Sequence, residues 1–245
     1  MYQAESAAEA LKRRGRLSRA VRAGQVSRNV LLLGATSMVT DISSEMIAAI
    51  LPLYLVFELR LSPAQFGVVD GIYQGVTALV RLGGGYLADR WRRYKEVATF
   101  GYAVSAATKL GFLAVGNAVA GLAAVVAVDR AGKGIRTAPR DALISLSSAP
   151  AVMATSFGVH RALDTAGAML GPLVAFGLLA LAPRAFDAVF VVSFCIALIG
   201  IGIISLFVQN RAPSEEEDGP VAAPSPRAAL ALLGGRRFRA LLLMS

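Results

Sequence analysis

Long apolar stretches, each bounded by a short polar or Gly/Pro-containing break, follow one another from Asn29 to Val208. The apolar positions are continuous rather than alternating, so they predict helices. The strands of a membrane barrel would alternate over about ten residues instead. A helix rising about 1.5 Å per residue needs roughly 18–20 apolar residues to cross a bilayer's hydrocarbon. Spans of that length are predicted at Asn29–Phe57, Ala64–Ala88, Val97–Val115, Ala118–Leu146, Ala154–Ala182 and Phe186–Val208. The expected fold class is all-α: a polytopic membrane protein with six transmembrane helices.

Composition agrees with that pattern. Of 245 residues, 56% are hydrophobic and only 17% charged, a membrane-protein balance rather than that of a soluble domain. The formal net charge of +9 is unevenly placed. Residues 1–28 form a basic tail with Lys12, Arg13, Arg14 and Arg16, and the segment after span two holds Arg90, Arg92, Arg93 and Lys95. The intervening loops carry little beyond Arg60 and Arg184. By the positive-inside rule the amino terminus faces the cytoplasm, and the chain is expected in the plasma (inner) membrane as a multi-pass protein. No aromatic stacking platform accompanies the basic residues, so anchoring in the lipid bilayer explains them and nucleic acid does not. The tail lacks an apolar signal-peptide region, which leaves span one as an uncleaved insertion signal. One cysteine, Cys195, and one histidine, His160, provide neither a disulfide nor a metal cluster, and no cofactor is expected.

After span six the character changes. Residues 209–227 mix an acidic run with Pro and Gly and are expected to form a cytoplasmic linker. Residues 228–245 begin a basic amphipathic segment and then a seventh apolar span. The six-helix bundle of residues 29–208 is therefore expected to be one half of a larger protein, with a missing carboxy-terminal half of the same chain as its partner.

Charge also enters the spans, where each ionisable group at a helix centre costs roughly 2.5–3.5 kcal/mol on insertion scales and marks a pathway or a paired network. Span one carries Asp41 and Glu45 in TDISSEMIAAILP, on one polar stripe. Span two holds Asp70 and Arg81, span three Lys109, and span five His160, Arg161 and Asp164. The stretch DRAGKGIRTAPRDALIS of span four places Asp129, Lys133, Arg136 and Arg140 on one stripe and Arg130, Thr137 and Asp141 beside it. A loop beginning at Asp129 would leave AVAGLAAVVAV too short to span, so a continuous helix is expected. Counting from the cytoplasmic ends pairs Arg130 with Glu45, Lys133 with Asp41 and Arg136 with Asp164, with Asp70 as a rival partner for Arg130. Asp129 and Arg130, about 100° apart, are expected to serve different neighbours. Spans one and four also echo each other: each has charges at i and i+4, and each has a proline further on, Pro52 and Pro139. Such correspondence suits two inverted three-helix repeats.

The segment GGYLADRWRRYK, Gly84–Lys95, resembles the loop signature of the major facilitator superfamily, with Gly85, Leu87, Ala88, Asp89, Arg90 and Arg93 in register. Arg92 stands where that signature has its second glycine. RAGKG, Arg130–Gly134, is similar to the superfamily's span-four motif. GAMLGPLVAFG resembles its span-five motif of proton-coupled exporters through Gly167, Gly171 and Pro172, with Ala175 and Phe176 replacing the usual glycine pair. The resemblance implies the amino-terminal half of a twelve-helix fold and a cytoplasmic latch in which Asp89 meets the other half while Arg92 or Arg93 reaches Asp141.

The function expected is secondary active transport of a small-molecule substrate by alternating access, coupled to protons and running as efflux, in the manner of a drug/proton antiporter. Asp41, Glu45, Arg130, Lys133, Arg136 and Asp164 are the candidate transport and coupling residues. A proton-coupled importer of an organic anion is the alternative if Lys133 and Arg136 face a cavity unpaired. A non-transporting receptor or scaffold is the alternative of another class. No enzyme is expected, because the sequence presents no recognisable nucleophile, base and oxyanion set.

Overall fold

The computed structural model describes residues 26–58, 93–115 and 118–211, with isolated positions between 60 and 80. The basic tail up to residue 25, nearly all of span two, the latch residues Gly85, Asp89, Arg90 and Arg92, and residues 212–245 lie outside the described residues. Among the described residues the secondary structure is helical and contains no strand.

Helix α1 runs Arg28–Leu53, α2 Tyr94–Val115, α3 Val119–Leu146, α4 Met153–Leu181 and α5 Phe186–Phe207. Ser27 caps α1, its side chain accepting from the Val30 amide at 3.3 Å. Pro52 lacks the N–H that would bond the Ala48 carbonyl, and the helix widens at once into a π-helical turn, Tyr54–Glu58. Pro139 and Pro172 sit inside α3 and α4 without ending them. The stretch opening at Asp129 is thus helix throughout, and its charges are carried on a continuous rod. Four helical segments, Arg28–Phe57, Tyr94–Val115, Pro150–Leu181 and Phe186–Phe207, are long and apolar enough to cross a membrane. The 28 residues of α3 are also long enough, but its charges set it apart from these four.

α1 packs on α4 and α5, and α2 packs on α3 and α5. Glycines set the closest approaches. A Cβ on Gly101 would stand 2.8 Å from the Gly132 carbonyl oxygen, and one on Gly132 would stand 2.8 Å from that of Gly101, so α2 and α3 touch backbone to backbone there. On α4, a Cβ at Gly171 would meet Glu45 Cβ at 2.7 Å and the Ile42 carbonyl oxygen at 2.8 Å, and one at Gly167 would press into the Met38 carbonyl. The GxxxG spacing of the span-five motif is therefore a seam that brings α4 onto α1.

The apolar core is in two parts. One cluster gathers Met46, Ile50, Phe112, Leu122 and Phe190, with Tyr54 edge-on to Phe190 at a centroid distance of 5.3 Å. The other gathers Val30, Leu33, Tyr102, Leu143 and Ile204. Between them in sequence on α1, α2 and α3 lies a polar belt that includes Ser37, Asp41, Ser105, Lys109, Asp129 and Arg136, all buried. Ser43 and Ser193 join α1 to α5 at this level, each hydroxyl donating to the other residue's carbonyl at 2.7 Å.

Candidate functional site

The face of α3 that carries Lys133, Arg136 and Arg140 meets acids from α1 and α4. Lys133 Nζ lies 3.6 Å from Glu45 Oε1, Arg136 Nη2 donates to Asp41 Oδ1 at 3.2 Å, and Arg140 Nη1 lies 3.6 Å from Asp164 Oδ1. These contacts form three successive rungs. Spacings of three and four residues repeat the position on one helix face, so a single stripe of α3 supplies all three cations. The rungs line a cavity of about 630 Å³ whose wall also includes Thr137, Phe157, His160 and Thr165.

Burial differs from rung to rung. The Arg136 and Asp41 side chains are 3% and 10% exposed, whereas Lys133 and Glu45 are 31% and 28% exposed. Arg136 is further held over the Tyr102 ring, its guanidinium carbon 4.5 Å from the centroid. Arg140 is engaged on several sides: Nε and Nη2 donate to Asp141 Oδ1 at 3.2 and 3.1 Å, and Nη1 donates to Ser37 Oγ at 3.1 Å. Ser37 Oγ also lies within hydrogen-bond reach of Tyr102 Oη at 3.3 Å and His160 Nε2 at 3.1 Å.

A second charged cluster lies one turn further along α3, toward α2. Asp129 Oδ1 accepts from Ser105 Oγ at 2.5 Å and Thr108 Oγ1 at 3.2 Å, and lies 3.7 Å from Lys109 Nζ. Arg130 folds back on the other carboxylate oxygen, through Nε at 3.0 Å and through Nη2. Lys109 Nζ also donates to the Ser105 carbonyl at 2.8 Å. Every charged member of this group is buried.

The geometry corrects the expected pairings. Glu45 pairs with Lys133 rather than Arg130, Asp41 with Arg136 rather than Lys133, and Asp164 with Arg140 rather than Arg136. Each acid meets the cation one turn nearer the carboxy-terminal end of α3. Counting from helix ends assumes that the ends are level, and an offset of one turn, about 5.4 Å, moves every partner by one rung. Asp129 and Arg130 also meet each other, the long guanidinium arm bending across the 100° between them. Asp70, the rival partner proposed for Arg130, lies outside the described residues. Arg140 lay on the predicted stripe yet outside the candidate set, and Ser37 and Tyr102 carried no signal, since a lone serine or tyrosine in a span is ordinary helix composition.

Comparisons with known proteins bear on the family and the fold. A family model described as Major Facilitator Superfamily matches residues 33–245. An uncharacterised MFS-type transporter of Methanocaldococcus jannaschii is 36% identical over 191 residues, covering 78% of this chain and 46% of that relative. An uncharacterised protein of Mycobacterium tuberculosis is 34% identical over 166 residues, covering 66% of this chain and 40% of the relative. The chain thus spans less than half the length of these relatives. Among solved structures, a peptide transporter in complex with alafosfalin superposes with a TM-score of 0.68 at 21% identity, over 92% of this chain and 49% of that one. At that identity the likeness is one of fold alone.

Proposed function

The chain belongs to the major facilitator superfamily, and from that premise we propose that it supplies the amino-terminal six-helix half of a secondary transporter for a small solute, working by alternating access in the plasma membrane. The observation that carries this reading is the ladder of cross-helix ion pairs on the cavity wall. Charges kept inside a span are expensive, so a structural role alone favours burying them in full pairing. Here the rung at Glu45 and Lys133 is partly exposed and open to exchange. Alternating access needs such groups: when the two halves rock, each cation must find a new acid, a solute or water. A proton arriving on Asp41 or Glu45 removes one partner and frees Arg136 or Lys133 to move.

The direction is efflux, a reading supported by the resemblance of the Gly167, Gly171 and Pro172 segment to the exporter motif. The anion-importer reading asks for Lys133 and Arg136 both unpaired at the cavity, and the hydrogen bond from Arg136 to Asp41 counts against it. The cytoplasmic latch of Gly85, Asp89, Arg90, Arg92, Arg93 and Asp141 completes the proposal, closing the half described here onto the carboxy-terminal half. The amino terminus is cytoplasmic, so in a Cys195→Ser background a cysteine at Ser148 is labelled from the cytoplasm and one at Asn117 from outside.

The test is flux in proteoliposomes carrying the full-length protein, with and without a pH gradient. Gradient-driven accumulation should be lost in Asp41→Asn or Glu45→Gln while solute exchange, which needs no net proton movement, persists. Undiminished accumulation in both variants would move coupling elsewhere, and specific solute binding with no flux in any condition would make the protein a receptor.

A further inference from the structure

We infer that this cavity selects zwitterions, taking the solute's carboxylate at Lys133 and its ammonium group at Glu45. The inference rests on the reading of the cavity as the solute site. Its starting point is the difference between the Glu45–Lys133 rung and the two others. At 3.6 Å this pair stands beyond the roughly 3.2 Å limit of a good N–H···O bond. Among the described residues neither side chain has another hydrogen-bond partner. Lys133 Nζ therefore has three donors, and the Glu45 carboxylate its lone pairs, available on the cavity side. Arg136 and Arg140 are by contrast held by Asp41, Asp141 and Ser37.

Charge balance then decides what fits. Among the described residues, carboxylates and cationic side chains on the cavity wall are equal in number, four of each. A purely anionic solute would satisfy Lys133 and strand Glu45 beside a second negative charge; a purely cationic one would do the reverse. Leaving one member of the pair beside a like charge is the costly outcome, whereas exchanging partners is not. A solute whose ammonium and carboxylate stand on one carbon, or a few atoms apart as in a short peptide, slips between the two side chains. It gives each a new partner of opposite sign, and no charge is left alone. The uncharged remainder of such a solute finds Phe157, Thr165 and Ala168 on the same wall. The volume of about 630 Å³ falls inside the roughly 300–1,000 Å³ of small-molecule sites.

Equilibrium binding to the purified full-length protein, by calorimetry and by ligand-induced thermal shift, tests this. The probes are neutral amino acids and alanine-containing dipeptides, each as the free zwitterion, the N-acetylated anion and the methyl-ester cation. At least one zwitterion should bind about tenfold or more tightly than both of its capped forms. Glu45→Gln should erase the discrimination against the N-acetylated form, Lys133→Met should erase that against the ester, and Glu45→Asp should retain both preferences. No binding of any zwitterion at millimolar concentration, equal binding of capped and free forms, or variants that weaken all three forms alike would overturn the inference. The wild-type comparison decides the matter even if a variant fails to fold. Selective zwitterion binding without flux would leave the inference standing and remove the transport reading. Proton-driven flux of a singly charged solute that binds as tightly as any zwitterion would do the opposite.

Discussion

Helix α3 carries two sets of charges that look alike in the sequence and are built differently. Toward α2, Asp129 is surrounded by Lys109, Arg130, Ser105 and Thr108, buried and with both of its oxygens engaged. Toward the cavity, Lys133, Arg136 and Arg140 each meet an acid from another helix; the Arg136–Asp41 rung is as buried as the Asp129 cluster, and the Glu45–Lys133 rung is partly open. A carboxylate held by several donors must break all of those contacts to change partner, so the first set pins α2 to α3. The partly exposed one-to-one pair of Glu45 and Lys133 exchanges partners at low cost, so that rung is suited to move. Burial and the number of partners, rather than charge itself, separate fixed from exchangeable ions.

The largest expected effect breaks the pinned side. Asp129→Ala leaves Lys109 and Arg130 without their shared carboxylate and should destabilise the protein by about 3–5 kcal/mol, measured as thermal unfolding of the purified full-length form. A wild-type melting temperature in that variant would show that the cluster does not hold α2 on α3. Next comes the α1–α4 seam. Gly171→Val places a branched side chain against the Glu45 Cβ and the Ile42 carbonyl and should cost about 1–3 kcal/mol. Gly177→Ala, where an added Cβ meets nothing within 4 Å, is the control and should be neutral or slightly stabilising.

Double-mutant cycles sharpen the comparison on the mobile side. Asp41→Asn with Arg136→Gln should show a coupling of about 0.5–3 kcal/mol, whereas Glu45→Gln with Arg130→Gln should be additive to within about 0.5 kcal/mol. Strong coupling in the second cycle would restore the pairing expected from counting along the helices. The smallest stability effect belongs to Glu45→Gln alone: the pair is partly exposed, so its loss should cost no more than about 1 kcal/mol. That variant should nonetheless lose gradient-driven accumulation, which separates a functional rung from a structural one.

Much of this was legible residue by residue. The ends of α1, α3, α4 and α5 fall within a residue or so of the apolar runs that predict them, apart from the π-helical turn that carries the first span on to Glu58. The start of α2 is three residues earlier than Val97, because Tyr94, Lys95 and Glu96 are polar or amphipathic and do not read as span. The stripe of Lys133, Arg136 and Arg140 follows from helical period alone. The partners do not. Tyr102 and Ser37 join the site because α2 and α1 bring them there, and Gly132 of RAGKG proves to be a residue against which Gly101 of α2 closes.

Which helices exist, and which of their faces are polar, are local matters: burial of apolar side chains in lipid and a period of 3.6 residues decide both within a single segment, so the sequence alone determined them. Which acid meets which cation depends on how far one helix slides against another. A slide of one turn leaves every segment's own pattern intact while changing every pair, and here it is the packing of α4 on α1 through Gly167 and Gly171, and of α2 on α3 through Gly101 and Gly132, that chose the register. Only the assembled helices decide that, because the spacing of small residues marks a face for close approach without naming the backbone that will meet it.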